Sequence, residues 1–312
     1  MEFFDADKLS ELLAWPDLIE SISEILNEPA AVSPERHVHL LSAPGEPEDM
    51  LLLKPAWISG KLLGIKAVTF FASNKARGLP ATNGSYLLFD GETGLPVAVM
   101  DGEELGSRRT MAASALASRF LSRNDALRLL VVGTGQLSPH AVAAHYAVRG
   151  FTSVEVWGRN IDKAQSIVEK LSKLGFAATT SPDLDASVAS ADVISCVTSS
   201  HAPLIKGELL QPGTHLDLVG SFKADMREAD DTCIARSTVF VDTYEGAILS
   251  GDLSQPVLAG VLQTSDLKVD LKALATGAHP GRANEAEITL FKSAGFALED
   301  LAAARLAIRN QS

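Results

Sequence analysis

The pattern of apolar and polar positions divides this chain into two stretches of different rhythm. From Asp5 an acidic helical stretch places Leu9, Leu12, Leu13, Leu18, Ile19, Ile22 and Ile25 on one side, and Pro16 predicts a break within it. Short runs with strand character follow: His37 to Leu41, Met50 to Leu53, Leu62 to Phe71, Gly84 to Phe89 and Leu95 to Met100. The last two are joined by Asp90-Gly91-Glu92-Thr93-Gly94, a turn sequence, so this region reads as a hairpin-rich, mainly antiparallel sheet. Arg108 to Leu121 then predicts a helix whose Ala- and Ser-lined face suits close packing against another element or a twin subunit.

From Leu127 onward short apolar runs alternate with helical stretches. Leu129-Leu130-Val131-Val132 is too short for a helix and fits a strand buried on both faces. Ser153 to Trp157, Ala191 to Thr198, Thr214 to Val219 and Thr238 to Val241 repeat the theme, with helices over Ala141 to Val148 and Asp162 to Leu174. Such alternation predicts an α/β fold, a Rossmann-type doubly wound parallel sheet, beside an α+β domain carrying the antiparallel sheet. The end, Glu287 to Asn310, reads as helix, a turn at Ser293-Ala294-Gly295, then helix, packed back on the first domain. The expected division is 1–121 completed by 293–312, and 122–292.

Between the first strand and helix of the second region lies Gly133-Thr134-Gly135-Gln136-Leu137-Ser138. Strand, glycine turn, helix, strand is the arrangement that binds a dinucleotide. The first Gly allows the tight turn and the second lets the backbone approach a pyrophosphate. Ser138 takes the third position and is small enough for close helix–strand packing. The helix N-terminus offers N–H groups to the phosphates. The following strand ends in Gly158-Arg159-Asn160, with Glu155 inside it. Without an acidic residue at the strand end to hold a ribose hydroxyl, and with Arg159 able to meet a 2′-phosphate, the site favours NADP over NAD.

Composition narrows the function classes. The net charge of −12, from 39 acidic and 27 basic residues, repels nucleic acid and acidic membranes. An anionic substrate therefore needs a local cluster of cations. No apolar run reaches the length of a membrane span, and MEFFDADK lacks the basic and apolar regions of a signal peptide. Cys196 and Cys233, both in apolar strand-like stretches without metal-ligand spacing, read as buried thiols, which fits the cytoplasm. His37 and His39 share a strand face but no carboxylate or cysteine motif joins them, so no metal site is expected. The candidate cations are Arg36, just before a strand, Lys66 within an apolar strand, and Arg108 and Arg109 at the start of the Ala-rich helix. Guanidinium groups bind a carboxylate in bidentate fashion. Lys54 and Thr82 are further candidates for the same pocket, and Thr198 ends a strand of the second region, where ligand contacts are common.

Together the segments Gly64-Ile65-Lys66, Arg109-Thr110-Met111-Ala112-Ala113-Ser114-Ala115-Leu116, Gly133-Thr134-Gly135-Gln136, Val239-Phe240-Val241-Asp242 and Thr289-Leu290-Phe291-Lys292-Ser293-Ala294-Gly295 resemble the ornithine cyclodeaminase/mu-crystallin family over nearly the whole chain. The resemblance implies a homodimer built on a substrate-binding N-terminal domain, an NAD(P)-binding domain, and an active site in the cleft between them. It implies that Arg36, Lys66 and Arg109 take a substrate carboxylate, Lys66 and Arg109 acting at the reacting centre. Gly133, Thr134, Gly135, Gln136, Arg159, Thr198 and Lys292 would hold the cofactor, with Ser293 near the nicotinamide. Cyclodeaminases of this family carry an acid/base Asp where this chain has Phe222. That departure resembles the ketimine-reductase branch, whose Δ1-pyrroline-2-carboxylate reductases reduce a small cyclic imino acid with NADPH or NADH. Oxidising an ammonium group needs a base, whereas reducing an imine needs its carboxylate anchored and its carbon aligned. Phe222 would supply an apolar wall against the ring. The implied product is L-proline, with L-pipecolate from the six-membered homologue. Ornithine cyclodeamination, or NADPH-dependent binding without turnover, are the rival expectations.

Overall fold

A computed structural model describes residues 1–43, 49–267 and 269–311. They form two compact units, residues 1–110 with 296–312, and residues 111–295. The first begins with strand β1 (Glu2–Phe4), helix α1 (Ala6–Leu12) and helix α2 (Trp15–Leu26). Asp5 caps α1 by accepting from the Lys8 N–H, and Pro16 sits in the first turn of α2, where a missing N–H costs nothing. The strands are β2 (Ala31–Val32), β3 (His37–Leu40), β4 (Asp49–Ile58), β5 (Leu62–Phe71), β6 (Thr82–Asp90) and β7 (Pro96–Asp101). They order as β1-β7-β6-β5-β4-β2, with β3 also on β4.

This sheet is antiparallel except that β1, which the sequence pattern did not reveal, runs parallel to β7. Strand β4 continues to Ile58 through Pro55. The proline falls between the stretch of β4 paired with β3 and the stretch paired with β2, where its absent N–H breaks no ladder. One face is buried: Ala56 and Ile58, Gly64 and Lys66, Tyr86 and Leu88, Ala98 and Met100 all point to it at the two-residue period.

Helix α3 (Gly102–Leu121) follows and runs from the first unit into the second. Its Ala- and Ser-lined face is not left for a twin subunit. Met111, Ala112, Ala113, Ser114, Ala115, Leu116, Ala117 and Ser118 are all fully buried within the chain. Small side chains here let neighbouring backbone come close.

The second unit continues with β8 (Arg128–Val132), α4 (Leu137–Tyr146), β9 (Ser153–Trp157), α5 (Ile161–Lys173), β10 (Thr179–Thr180), α6 (Leu184–Ser190), β11 (Val193–Cys196) and β12 (His215–Leu218). Then come α7 (Asp231–Arg236), β13 (Thr238–Val241), α8 (Tyr244–Ala247), α9 (Gly251–Leu258), α10 (Leu271–Ala275) and β14 (Thr289–Lys292). The sheet order is β10-β9-β8-β11-β12-β14-β13, all pairs parallel, so the chain winds one way from β8 and then the other. Its core is built from runs such as Leu129 to Val132, 2% exposed or less, as the continuous apolar pattern requires.

Two expectations need correction. Thr289 to Lys292 is not helical; it is β14, inserted between β12 and β13. A four-residue apolar run carries no period of its own, and the helix beyond the turn drew the assignment with it. Cys233 lies on α7 rather than on a strand, though both thiols are buried and reduced. The chain ends in α11 (Ala297–Gln311), which belongs to the first unit and packs on α2, β5 and β4. Among the described residues no helix is long and apolar enough to cross a membrane.

Candidate functional site

On the buried face of the first sheet, Lys54 of β4 stands directly opposite Lys66 of β5, and Lys66 opposite Tyr86 of β6. His37 pairs with Leu53, so Arg36, one residue before β3, continues the row beside Lys54. Like charges directly opposite one another are destabilising unless something neutralises them. Helix α11 does so from its first turn, where the helix dipole also favours acids. The Lys66 Nζ donates to Asp300 at 3.0 Å, Arg109 Nε lies 3.0 Å from the same carboxylate, and Arg109 also pairs with Glu299.

Glycines make this crowding possible. A Cβ at Gly106, on the helix that carries Arg109, would lie 2.6 Å from the Lys66 Nζ; one at Gly64 would overlap the Tyr86 hydroxyl. Arg108 turns away instead, donating to Glu104, the Leu13 carbonyl and Ser10, and lies over the Trp15 ring.

The charges act on one another. Burial, and then Arg109, pushes Lys54 down to about 8, with Asp300 opposing. Burial also lowers Lys66, against the pull of Asp300. Burial alone would raise Asp300, but Arg109, Lys66 and Lys54 outweigh it and hold the carboxyl below its usual range. Four cations thus meet two carboxylates, a local surplus of positive charge that a small anion would neutralise.

In the second unit the glycine turn follows β8. Gly133 has φ +136°, and a Cβ there would meet the Val197 carbonyl at 2.8 Å, so glycine is required. Gly135 has open space where its side chain would be, which leaves its backbone approachable. Ser138 is fully buried and its Oγ donates to the Gly133 carbonyl, closing the turn against α4. Gln136 precedes α4, and a Cβ on Gly158 would strike Thr134. Arg159 is exposed after β9, while Glu155 accepts from Ser187 and is held inside the unit. These residues fit a dinucleotide: a strained glycine, an open one, and a helix start beside them.

The C-terminal ends of β11, β12 and β14 are tied by a buried polar network. Glu228 accepts from the Thr198 N–H and Oγ at 2.7 and 2.9 Å and from the Gly220 N–H at 2.7 Å. Asp252 accepts from the Glu228 N–H at 2.7 Å and from the Lys292 Nζ at 3.2 Å. Burial pushes Glu228 up to about 8, with Lys292 opposing. Asp242 accepts from the N–H groups of Ala294 and Gly295, and Ser293 is buried beside it.

Lys292, expected at the cofactor, is fully buried, and its Nζ donates to Asp252. Thr198 has its side chain and N–H turned to Glu228. Phe222, in the loop after β12, is half exposed. Sequence reasoning missed Glu299, Asp300, Glu228 and Asp252. Only Glu299 and Asp300 gave a signal, an acidic pair set in an otherwise apolar helix start. Among the described residues no group of His, Cys, Asp and Glu can hold a metal ion.

Residues 5–312 match the ornithine cyclodeaminase/mu-crystallin family, and the chain belongs to it. An uncharacterised protein of Schizosaccharomyces pombe is 42% identical, over 99% of this chain and 97% of its own. A Δ1-pyrroline-2-carboxylate reductase of Paracoccus denitrificans is 38% identical, over 93% of this chain and 90% of its own. Among solved structures, Δ1-pyrroline-2-carboxylate reductase of Thermococcus litoralis, in complex with NADH and L-proline, superposes with a TM-score of 0.92 at 30% identity, covering 99% of this chain and 97% of that one.

Proposed function

We propose that this chain is an NAD(P)H-dependent imine reductase that converts Δ1-pyrroline-2-carboxylate to L-proline, and its six-membered homologue to L-pipecolate. The observation that carries the reading is the cation surplus around Lys66 and Arg109 in a chain that also holds a dinucleotide turn. Arg109 and Lys66 take the substrate carboxylate, with Arg36 at the end of the row. Gly133, Thr134, Gly135 and Gln136 receive the pyrophosphate, and the reduced nicotinamide supplies the hydride. Phe222 and Ser293 line the reacting end: the phenyl ring excludes water, and its presence in place of an acid suits reduction rather than deamination. Arg159 favours NADPH over NADH. The chain assembles as a homodimer, for which the exposed apolar residues Val38, Leu40 and Leu41 at the edge strand β3 are the surface we assign.

Loss of nicotinamide absorbance with Δ1-pyrroline-2-carboxylate, compared between NADPH and NADH, tests the reading. Rapid oxidation with L-proline as product is expected. Cofactor binding without oxidation overturns it, and ammonia release from ornithine would replace it with cyclodeamination.

A further inference from the structure

The row of cations contains a member to which anchoring a carboxylate assigns no task. Lys66 and Arg109 face the helix carboxylates, and Arg36 stands at the end; Lys54 lies between. We propose that Lys54 is the proton donor to the imine nitrogen of the substrate, an inference that rests on the imine-reductase reading above.

The geometry of the substrate class supports it. In an α-imino acid the nitrogen and the carboxylate are attached to the same carbon, so both lie along one edge of the molecule. A carboxylate held by Lys66 and Arg109 brings the nitrogen within one side-chain width of the anchor. Residues directly opposite on neighbouring antiparallel strands have Cβ atoms about 5 Å apart, which is that width. Lys54 and Tyr86 are both so placed beside Lys66, on the same buried face; burial raises the Tyr86 phenol well above its ordinary range, so Lys54, with a flexible stem and a donor at its end, is the better acid.

The surroundings make the ammonium a willing acid. It faces Arg36 from the segment before β3, Lys66 and then Tyr86 across β5 and β6, Arg109 from α3, and Asp300 with Glu299 beyond it from α11. Burial, and then Arg109 with the other cations, outweighs the pull of Asp300, so the proton is held less tightly than on an ordinary lysine. A donor is most effective when its pKa lies near the working pH.

In the step itself the C=N π bond breaks. Two electrons arrive as hydride on the imine carbon, the nicotinamide being oxidised, and the nitrogen electron pair takes the proton from the Lys54 Nζ. Lys54 is left as the neutral amine and is reprotonated from solvent; the product amine, a stronger base than the imine, takes a second proton from solvent to give the L-proline zwitterion.

The test uses Lys54→Met and Lys54→Arg in the full chain, with kcat/KM for Δ1-pyrroline-2-carboxylate followed on both sides of pH 8, and L-proline binding measured by calorimetry. Arginine keeps the charge but not a proton it can give up. Both variants should lose about 100-fold or more at pH 8. Both should regain most of the wild-type rate in acid, where solvent protonates the imine, and L-proline binding should stay near wild type. A Lys54→Arg variant with wild-type rate at pH 8 would reduce Lys54 to an electrostatic role. A pH profile parallel to wild type in both variants would likewise overturn the proposal. If the wild-type protein oxidises neither cofactor, the functional reading fails and this one with it; if it does and the Lys54 profiles are unchanged, this one fails alone.

Discussion

The two buried charge clusters use the same ingredients in opposite proportion. Around Lys54, Lys66 and Arg109 cations outnumber carboxylates; around Lys292 the carboxylates Glu228 and Asp252 outnumber the cation. The consequence appears in the proton affinities, because burial penalises every charge and too few opposite charges offset it for the group in surplus: Lys54 falls to about 8 and Glu228 rises to about 8. The clusters also differ in what satisfies them. Glu228 and Asp252 accept from backbone N–H groups of Thr198, Gly220, Ser221, Glu228 and Ala229, so their lone pairs are committed to holding loops. Lys66 and Arg109 pair instead with the side-chain carboxylates of Asp300 and Glu299, and in the proposed reading an incoming carboxylate joins those. In the function proposed above, one cluster is a frame and the other a receptor.

The largest effect that breaks this contrast is expected from Lys292→Met. It leaves Asp252 buried without its cation, and losing one partner of a buried pair costs about 3–5 kcal/mol. Urea denaturation should show that loss at neutral pH. The sign with pH follows from Glu228. Its folded pKa, about 8, lies above its unfolded value near 4.5, so the folded state binds the extra proton. Its contribution is fully present below pH 4.5 and is lost as pH rises toward 8. Wild-type stability should carry that downward slope, and Glu228→Gln should flatten it; an unchanged slope would show that Glu228 is not the titrating group.

A smaller effect, but one on function, is expected from Arg109→Ala. A charge-assisted bidentate contact contributes about 2–3 kcal/mol, so KM for the imine should rise about 30- to 160-fold. Dinucleotide binding, which depends on the second unit, should stay as it was, and that readout reports folding as well. An unchanged KM would take Arg109 out of the anchor and leave the cation surplus without its assigned ligand.

The frame and the receptor were not equally legible in the sequence. The glycine turn was, because its chemistry is local: Gly133 and Gly135 sit within one loop, and the strands and helix around them announce themselves by period. Lys66 and Arg109 stood out as cations in apolar surroundings, but their convergence did not, since it depends on Asp300, more than 190 residues further on than Arg109. The parallel sheet was readable from alternation, yet β14 was not. A strand inside a parallel sheet and buried on both faces needs no amphipathic pattern, and four residues are too few to show one. Glu228, on a segment between strands, gave no sign that it would be buried, because burial there is decided by Thr198, Gly220 and Asp252 arriving from distant parts of the chain.

The smallest expected effect tests the surface counterpart of the receptor. Arg159 is exposed at the end of β9, so any pairing with a 2′-phosphate occurs in contact with solvent and is screened by salt. Such a pair contributes up to about 1 kcal/mol. Arg159→Ala should therefore raise KM for NADPH about fivefold and leave that for NADH unchanged, and added salt should erode the wild-type preference in the same direction. Equal effects on the two cofactors would mean that Arg159 meets the adenine or the pyrophosphate, parts they share. A buried anchor such as Arg109 should keep its hold on the imine carboxylate under the same salt, because the surrounding protein, not the solvent, sets the strength of that interaction.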